Sequence, residues 1–390
     1  MFKKILQTSI VQKGLALLTD LRVWSLVNLL PKIAKFLPTS FWSKEQPLLG
    51  VAISHQDVQV LLMEKHYGLY KVVHYAHLPL PIGAIIEGKI KLSQKISDTL
   101  KQAFILSGCK TNQVVIALPN AQVITKQINL SAELSEFELA SEVEFAAASA
   151  LPLPMESVSL DYHVLGPLED NPAQVNVQLI ASLNAPIQER LEIVQEAGLE
   201  AKVVDVECYS LERSISFCLS QLDPALPKEI VVLFDFNADT LSFVALQKGI
   251  LAYHQEDIFI SEELTHIVVE KYNLDASISS YAEWISLVPE HYLVEIFVDI
   301  QPLLLKQMVH CFQLFASTLF FNKIDFVFLS GDITSVPGVA EWLTKELDMP
   351  VAIANPLKNL HFDETENQLA MQKVEQNLMR VIGLALRGCV

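Results

Sequence analysis

The stretch that decides the fold is Lys228–Gln255, KEIVVLFDFNADTLSFVALQKGILAYHQ. Its β-branched and aromatic run ends at the polar turn Asn237–Asp239, and a second apolar run follows, which is the pattern of a β-hairpin. The same pattern occurs at Leu48–Tyr75, LLGVAISHQDVQVLLMEKHYGLYKVVHY, and a shift of 183 residues lays Ala52 on Asp235. Two such units, each leading a mixed α/β segment, predict a duplicated α/β protein with two lobes around a cleft. Two unrelated antiparallel meanders are the alternative.

Composition and charge indicate a globular protein with two different surfaces. The chain has 390 residues, of which 51% are hydrophobic and 19% charged. Its net charge of −17 argues against a general nucleic-acid binder. Residues 1–46 contain seven basic and two acidic side chains, so the remainder of the chain carries −22. This basic, amphipathic extension is suited to an anionic membrane surface, and a loosely docked extension is the alternative.

Other patterns exclude several classes of protein. The five cysteines have neither CxxC nor Cys/His spacing, which favours buried thiols in a reducing compartment and indicates no metal site. The longest apolar stretch, Pro302–Phe321, contains Lys306 and His310, so we expect a buried helix rather than a membrane span. No signal-peptide pattern or Ser/His/Asp arrangement stands out, and we expect a cytoplasmic protein without catalytic residues.

Proline-rich segments indicate the domain boundaries. The linker Asp223–Pro227 places the lobe boundary near residue 225. We therefore expect a first lobe over residues 47–225 and a second lobe over residues 226–360. A C-terminal helix within residues 361–390 is expected to pack back on the first lobe.

Several short motifs occur in a specific order: Leu78–Glu87 (LPLPIGAIIE), Val115–Lys126 (VIALPNAQVITK), Leu134–Pro154, Ala197–Glu207 (AGLEAKVVDVE), Leu329–Val339 (LSGDITSVPGV), Asn355–Pro356 and Leu384–Arg387. Their order resembles the actin-like fold, and specifically the PilM family of type IV pilus assembly proteins, over residues 48–390. The resemblance implies a ribonuclease-H-like duplication. It also implies a small α/β subdomain inserted in the first lobe at about residues 85–167.

The resemblance also implies a nucleotide cleft. Its candidate cofactor-binding residues are Ser54, His55, Asp235, Asn237, Thr240, Glu262, Gly331 and Asp332, with Asp235 as the candidate Mg²⁺ ligand. The family's usual acid in the first hairpin is replaced by Ala52. Glycines permit close approach of a phosphate to the backbone, and at four sites the expected glycines are replaced here, by Ser54, Asn237, Ile260–Ser261 and Asp332. We therefore predict a degenerate ATPase with no cofactor; bound ATP with Mg²⁺ is the alternative.

In function, the resemblance implies a cytoplasmic scaffold peripheral to the inner membrane, within the assembly platform of a type IV pilus. Such a scaffold binds the N-terminal peptide of a PilN-type membrane protein and couples it to the motor ATPases. The candidate partner-binding residues are Val123, Leu130, Leu139 and Val143. The extension contains Asn28–Pro31, which resembles the core of such a peptide, and this raises the hypothesis that the extension occupies the partner's groove.

Three alternative functions stay open at this stage. The first is a nucleotide-binding actin-like ATPase of the same family. The second is a membrane-tethered filament protein of the cell-division type, which the basic extension allows. The third is the corresponding scaffold of a related secretion or mannose-sensitive pilus system.

Overall fold

The computed structural model describes residues 47–390 except residues 82, 87, 153, 169, 221, 225, 238–239, 259–268, 272–289, 319–322, 359, 363–364, 373 and 390. The chain divides into two units, Met1–Gln46 and Pro47–Val390, and the described residues all belong to the second. The predictions for the basic extension and for its Asn28–Pro31 segment lie outside the described residues.

The first sheet has six strands, numbered with all others in chain order: β1 (Leu49–Ile53), β2 (Asp57–His66), β3 (Leu69–Pro79), β6 (Gln113–Leu118), β10 (Glu200–Val206) and β16 (His361–Phe362). Their order is β10-β6-β1-β2-β3-β16. The hairpin strands β1, β2 and β3 are antiparallel, whereas β6 lies parallel to both β1 and β10. A short separate hairpin consists of β4 (Ile85–Ile86) and β5 (Lys89–Ile90).

The second sheet repeats this topology with β11 (Ile230–Asn237), β12 (Thr240–Gln247), β13 (Ile250–Ile258), β14 (Phe326–Gly331) and β15 (Val351–Ile353). Its order is β13-β12-β11-β14-β15, with the hairpin antiparallel and β14 parallel to both β11 and β15. Even the register is conserved, since Ala52 pairs with Gln59 and Asp235 pairs with Ser242. The predicted duplication at an offset of 183 residues is therefore confirmed, and the two meanders are related.

A third sheet forms a small subdomain, in the order β7-β9-β8, from β7 (Val123–Ser131), β8 (Val158–Pro167) and β9 (Gln174–Leu183). The helix α2 (Glu136–Ala150) packs on it through Val143 and Ala147. These limits differ from the expected 85–167. Residues 113–118 form β6 of the first sheet because their apolar run pairs with β1, while the central strand β9 lies beyond residue 167.

Helices cover the two main sheets. Their remaining bounds are α1 (Ser93–Ser107), α3 (Asn184–Glu196), α4 (Glu207–Leu219), α5 (Glu290–Thr318), α6 (Val339–Leu347), α7 (Thr365–Gln372) and α8 (Met379–Gly388). α1 and α3 pack on the first sheet, and α5 and α6 pack on the second. Within the described part of the chain, no helix combines the length and apolar character needed to cross a membrane. The predicted buried helix around Pro302 lies inside α5.

The helices α4 and α8 join the two lobes. α4 packs its apolar side chains on the second sheet, whereas α8 packs on the first. The two helices approach closely because α8 has glycine at position 383: a Cβ there would lie 1.8 Å from the carbonyl oxygen of Ser210. Arg213 of α4 donates from Nε to the carbonyl oxygen of Gly383 at 2.8 Å and also pairs with Asp205. The position of α8 is therefore set by backbone contact with α4.

Replacing Gly383 with alanine tests this close packing. We expect Gly383→Ala to lower the free energy of unfolding by about 2 kcal/mol or more, because the added methyl group must displace backbone atoms. Urea denaturation measures the change. The control is Gly68→Ala, where a Cβ meets nothing within 4 Å and only the positive φ of +85° is unfavourable, at about 1–2 kcal/mol. A Gly383→Ala variant as stable as the wild type would contradict this packing.

Candidate functional site

The turn between β1 and β2 forms one side of the cleft. Ser54 Oγ accepts hydrogen bonds from the backbone N–H groups of Gln56 at 3.1 Å and Asp57 at 3.0 Å. The backbone N–H of Ser54 donates to the carbonyl oxygen of Asp57 at 2.9 Å. The neighbouring His55 receives a hydrogen bond at Nε2 from the backbone N–H of Gly88. Phosphate-binding turns work by directing such N–H groups at an anion, and here the donors of Ser54, Gln56 and Asp57 are already bonded within the turn.

Asp57 connects this turn to the rest of the cleft. Its Oδ1 accepts a hydrogen bond from Ser54 Oγ at 2.5 Å, and its Oδ2 lies 2.9 Å from Nε2 of His77. Gln59 Nε2 donates both to Asp57 Oδ2 at 3.1 Å and to the carbonyl oxygen of Asn377 at 3.2 Å. Burial by itself raises the pKa of Asp57, but the hydrogen bonds from His77 and Ser54 outweigh it and lower the pKa below its ordinary value. Asp57 is therefore a structural carboxylate.

The second hairpin contributes Asp235, which lies near the end of β11 and is 2% exposed. Its Oδ1 accepts a hydrogen bond from Ser330 Oγ at 2.5 Å, and its Oδ2 accepts one from Asn237 Nδ2 at 2.6 Å. Nη2 of Arg380 lies 3.1 Å from the same Oδ2. Both oxygens of the predicted Mg²⁺ ligand are thus bound by side chains of this chain.

Arg380 of α8 is the charged group at the centre of the cleft. Its Nη2 also donates to Ser242 Oγ at 3.1 Å, and its Nε lies 3.7 Å from Oε2 of Glu207. Burial by itself lowers the pKa of Arg380, but Asp235, Glu207 and Glu256 outweigh it and raise the pKa above its ordinary value. The guanidinium therefore stays charged and neutralises carboxylates that would otherwise be buried without a counter-ion.

The third side of the cleft is the turn after β14. Gly331 has a φ of +84°, and a Cβ there would lie 1.8 Å from the carbonyl oxygen of Phe236. Sheet packing thus explains this glycine without a nucleotide. Asp332 is 7% exposed and accepts a hydrogen bond at Oδ1 from Asn377 Nδ2 at 3.1 Å. Since Gln59 donates to the carbonyl of Asn377, a continuous hydrogen-bonded chain links the first hairpin to Asp332.

The structure brings most of the predicted cofactor-binding residues to the carboxyl ends of β1, β11 and β14: Ser54, His55, Asp235, Asn237, Gly331 and Asp332. Thr240 begins β12, and its Oγ1 donates to the carbonyl oxygen of Asn237 at 3.4 Å. Glu262 lies outside the described residues. These side chains are close to one another, but the groups that connect them are Asn377 and Arg380, which sequence reasoning missed.

Two sequence signals could have pointed to Asn377 and Arg380: the residues that bond to them, Gln59 and Ser242, and the apolar surroundings of Arg380. Gln59 and Ser242 are buried polar residues inside apolar strands, and they occupy the same position in the two copies of the hairpin. Arg380 is a lone charge in the apolar run from Leu378 to Leu386. A charge in such a run predicts a buried partner, although it does not indicate which carboxylate that partner is.

The residues present do not fit a Mg²⁺ ion at Asp235. Magnesium needs octahedral oxygen coordination, normally with several waters, whereas the oxygens of Asp235 already face an arginine, a serine and an asparagine. No group of three or more His, Cys, Asp or Glu side chains with metal-binding geometry occurs within the described ranges.

The predicted partner-binding residues lie in the small subdomain. Val143 of α2 is 1% exposed and belongs to the core between helix and sheet, and Leu139 and Leu130 pack against that core half-buried. Val123 is half-buried at the start of β7. Only part of this set therefore reaches the surface. Among the described strands, β7 is an edge strand of the three-stranded sheet, with β9 as its neighbour.

Two sheets that share a five-strand topology, joined by a helix pair and meeting at a cleft between their hairpin turns, define an actin-like protein. A family model described as type IV pilus assembly protein PilM matches residues 50–389. The chain therefore belongs to the PilM family of type IV pilus assembly proteins.

Solved structures agree with this fold. The chain is similar to a structure described as a PilM–PilN type IV pilus biogenesis complex, with 22% identity, a TM-score of 0.71, and coverage of 88% of this chain and 99% of that one. It is also similar to the ethanolamine utilization protein EutJ from Carboxydothermus hydrogenoformans, with 12% identity, a TM-score of 0.53, and coverage of 93% and 99%. The predicted actin-like fold and family are confirmed.

The pKa shift of Asp57 leads to a pH-dependent prediction. A carboxylate whose pKa is lowered by folding stabilises the protein above its unfolded value of about 3.9, and this contribution is lost as the pH falls through the folded value. We expect Asp57→Asn to lower the free energy of unfolding by about 1–2 kcal/mol at pH 7. The difference from the wild type should shrink as the pH falls below about 4.

Urea denaturation between pH 3 and pH 7 measures this difference. The matched control is Asp98→Asn on the exposed surface of α1, which we expect to change stability by less than about 0.5 kcal/mol. A deficit in Asp57→Asn that stays constant over the whole pH range would show that ionisation of Asp57 does not matter.

Proposed function

We propose that this chain is a nucleotide-independent scaffold of the type IV pilus assembly platform. In this proposal it binds the cytoplasmic N-terminal peptide of a PilN-type membrane protein and couples that protein to the assembly motors. Membership of the PilM family supports the role in pilus assembly. The similarity to a PilM–PilN complex supports the choice of partner.

The observation that carries the nucleotide-independent part is the ion pair between Arg380 and Asp235, at 3.1 Å. In a Mg²⁺-dependent site, Asp235 would serve the metal, directly or through water. Here a cation that is covalently part of α8 holds that position. Displacing the guanidinium would leave it and its carboxylates without partners in a buried setting, which is strongly unfavourable.

The turn between β1 and β2 and the turn after β14 independently support a cleft that does not bind nucleotide. The N–H groups of Gln56 and Asp57 are bonded to Ser54 Oγ, so binding a phosphate would first break these hydrogen bonds. Asp332 adds a buried carboxyl group on the opposite side, where a polyphosphate would meet an acidic residue. The cleft therefore serves as a rigid connection between the lobes.

The small subdomain supplies the partner surface in this proposal. β7 is an edge strand, and an extended peptide can add to such an edge through backbone hydrogen bonds. Leu130 faces α2, while Val123 lies at the end of β7 nearest the first lobe. The peptide would run along β7 between the subdomain and the first lobe. The location would be the cytoplasmic face of the inner membrane, with residues 1–46 contributing basic side chains towards anionic lipid.

Calorimetric titration of the full chain tests both parts of the proposal. We expect a PilN-type peptide with an Asn-Leu-Leu-Pro core to bind, because β7 is an edge strand of its sheet, and we expect Mg-ATP to produce no binding heat. A scrambled peptide is the control. Saturable binding of Mg-ATP would contradict the nucleotide-independent scaffold and favour a nucleotide-binding actin-like ATPase, whereas absence of peptide binding would contradict the proposed partner.

Variants of Arg380 test its role as the internal cation. We expect Arg380→Ala to lower the free energy of unfolding by about 3–5 kcal/mol, because Asp235 and Glu207 lose their counter-ion. The double variant Arg380→Met with Asp235→Asn should lose less, since it removes both charges. The control is Arg387→Ala at an exposed position of the same helix, and chemical denaturation measures all four proteins. Equal losses for Arg380→Ala and Arg387→Ala would contradict the assignment.

A further inference from the structure

One face of α2 points away from the subdomain core and carries two exposed phenylalanines. Phe137 is 83% exposed and Phe145 is 73% exposed. Positions 137, 141, 145 and 148 lie on one side of an α-helix. We define the outer face of α2 by the residues at these positions, Phe137, Ser141, Phe145 and Ala148. Along the helix axis, Ser141 lies between the two rings and Ala148 lies beyond Phe145.

The orientation of this face is fixed by the rest of the helix. A capping box holds the first turn: the backbone N–H of Glu138 donates to Ser135 Oγ at 3.4 Å, and the backbone N–H of Ser135 donates to Glu138 Oε2 at 2.9 Å. On the opposite side, Val143 and Ala147 are buried against the three-stranded sheet. Rotating α2 to bury the phenylalanines would expose Val143 and Ala147. Both rings therefore face solvent as long as these two core residues stay buried.

The charged side chains of α2 itself are all acidic. Between Lys126 and His163 the chain has seven acidic side chains and no basic one. Glu138, Glu142 and Glu144 of α2 are exposed beside the outer face. Anionic lipid would be repelled by such a surface, which argues against a membrane as its occupant. A basic partner would be attracted.

The dimensions of the face match a helix. Phe137 and Phe145 are eight residues apart, which corresponds to about 12 Å along the axis of α2 at 1.5 Å per residue. Two helical turns of a partner span about 11 Å. Apolar side chains spaced by one turn would therefore contact Ser141 between the two rings and Ala148 beyond Phe145, and aromatic side chains commonly anchor such contacts.

We infer that the outer face of α2 is a docking surface for a basic amphipathic helix of a protein partner. The apolar side of that helix packs between Phe137 and Phe145, and its lysines or arginines pair with Glu142 and Glu144. This surface lies on the other side of α2 from Val143 and is separate from the free edge of β7. The inference therefore goes beyond the proposed function, and it holds or fails independently of the PilN-type peptide.

Fluorescence anisotropy with two designed peptides tests this inference on the full chain. The probes are a labelled amphipathic helix of leucine and lysine and a counterpart in which glutamate replaces lysine. We expect the leucine–lysine peptide to bind in a salt-dependent manner and the leucine–glutamate peptide to bind at least tenfold more weakly. The double variant Phe137→Ser with Phe145→Ser should lose at least tenfold in affinity, as should Glu142→Lys with Glu144→Lys.

The matched control is Ile105→Ser with Leu106→Ser, which removes two exposed apolar side chains of α1, each 66% exposed. We expect this control to bind the leucine–lysine peptide within twofold of the wild type. Because all substituted side chains are exposed, the urea midpoints should stay unchanged. Unchanged midpoints show that a loss of affinity comes from the altered binding surface and not from unfolding. Binding by the phenylalanine variant at wild-type affinity, or an equal loss in the α1 control, would overturn the inference.

Discussion

The ion pair between Arg380 and Asp235 is the interaction on which the rest of this structure depends. Arg380 belongs to α8, which packs on the first sheet, and Asp235 belongs to the second sheet, so the pair joins the two lobes. A buried guanidinium is stable only when carboxylates and hydroxyls surround it, and Glu207 and Ser242 complete that environment. These contacts require α8 to lie at one position, which the backbone contact at Gly383 provides. The two lobes of the actin-like fold are thus joined by contacts between side chains of α8 and side chains of the second sheet.

Much of the fold could be predicted because its signals are local. Strand runs and turn residues indicated both hairpins, and the offset of 183 residues indicated that they are copies of one unit. The structure adds the register, in which Asp235 pairs with Ser242 as Ala52 pairs with Gln59. The expected limits of the inserted subdomain, about residues 85–167, leave out β9, whose pairing with β7 joins segments far apart in the chain. Likewise, a single C-terminal helix was expected within residues 361–390. The structure has α7, a short 3₁₀ turn and α8, and Asn377 in that turn bonds to Asp332.

The candidate site was predictable only in part, and the reason is physical. The residues at the turns, such as Ser54 and Asp235, follow from the ends of predicted strands. Whether they meet a nucleotide or an arginine depends on α8, whose position is decided by packing between distant segments. The glycines replaced at four sites indicated a degenerate cleft, and the structure adds what one replacement does: Ser54 bonds to the N–H groups of its own turn. A glycine at that position would leave these donors available.

The central claim is that the cleft is held by Arg380 and does not respond to nucleotide. The most direct test is the distance between the lobes, measured by double electron–electron resonance between two spin labels. The labels are attached at Lys101→Cys in α1 and Lys345→Cys in α6, two exposed positions. Cys389 is half-buried and is first replaced with serine, while the other four cysteines are buried. We predict one narrow distance distribution that is the same with and without Mg-ATP. A distribution that shifts or narrows on addition of Mg-ATP would contradict the account.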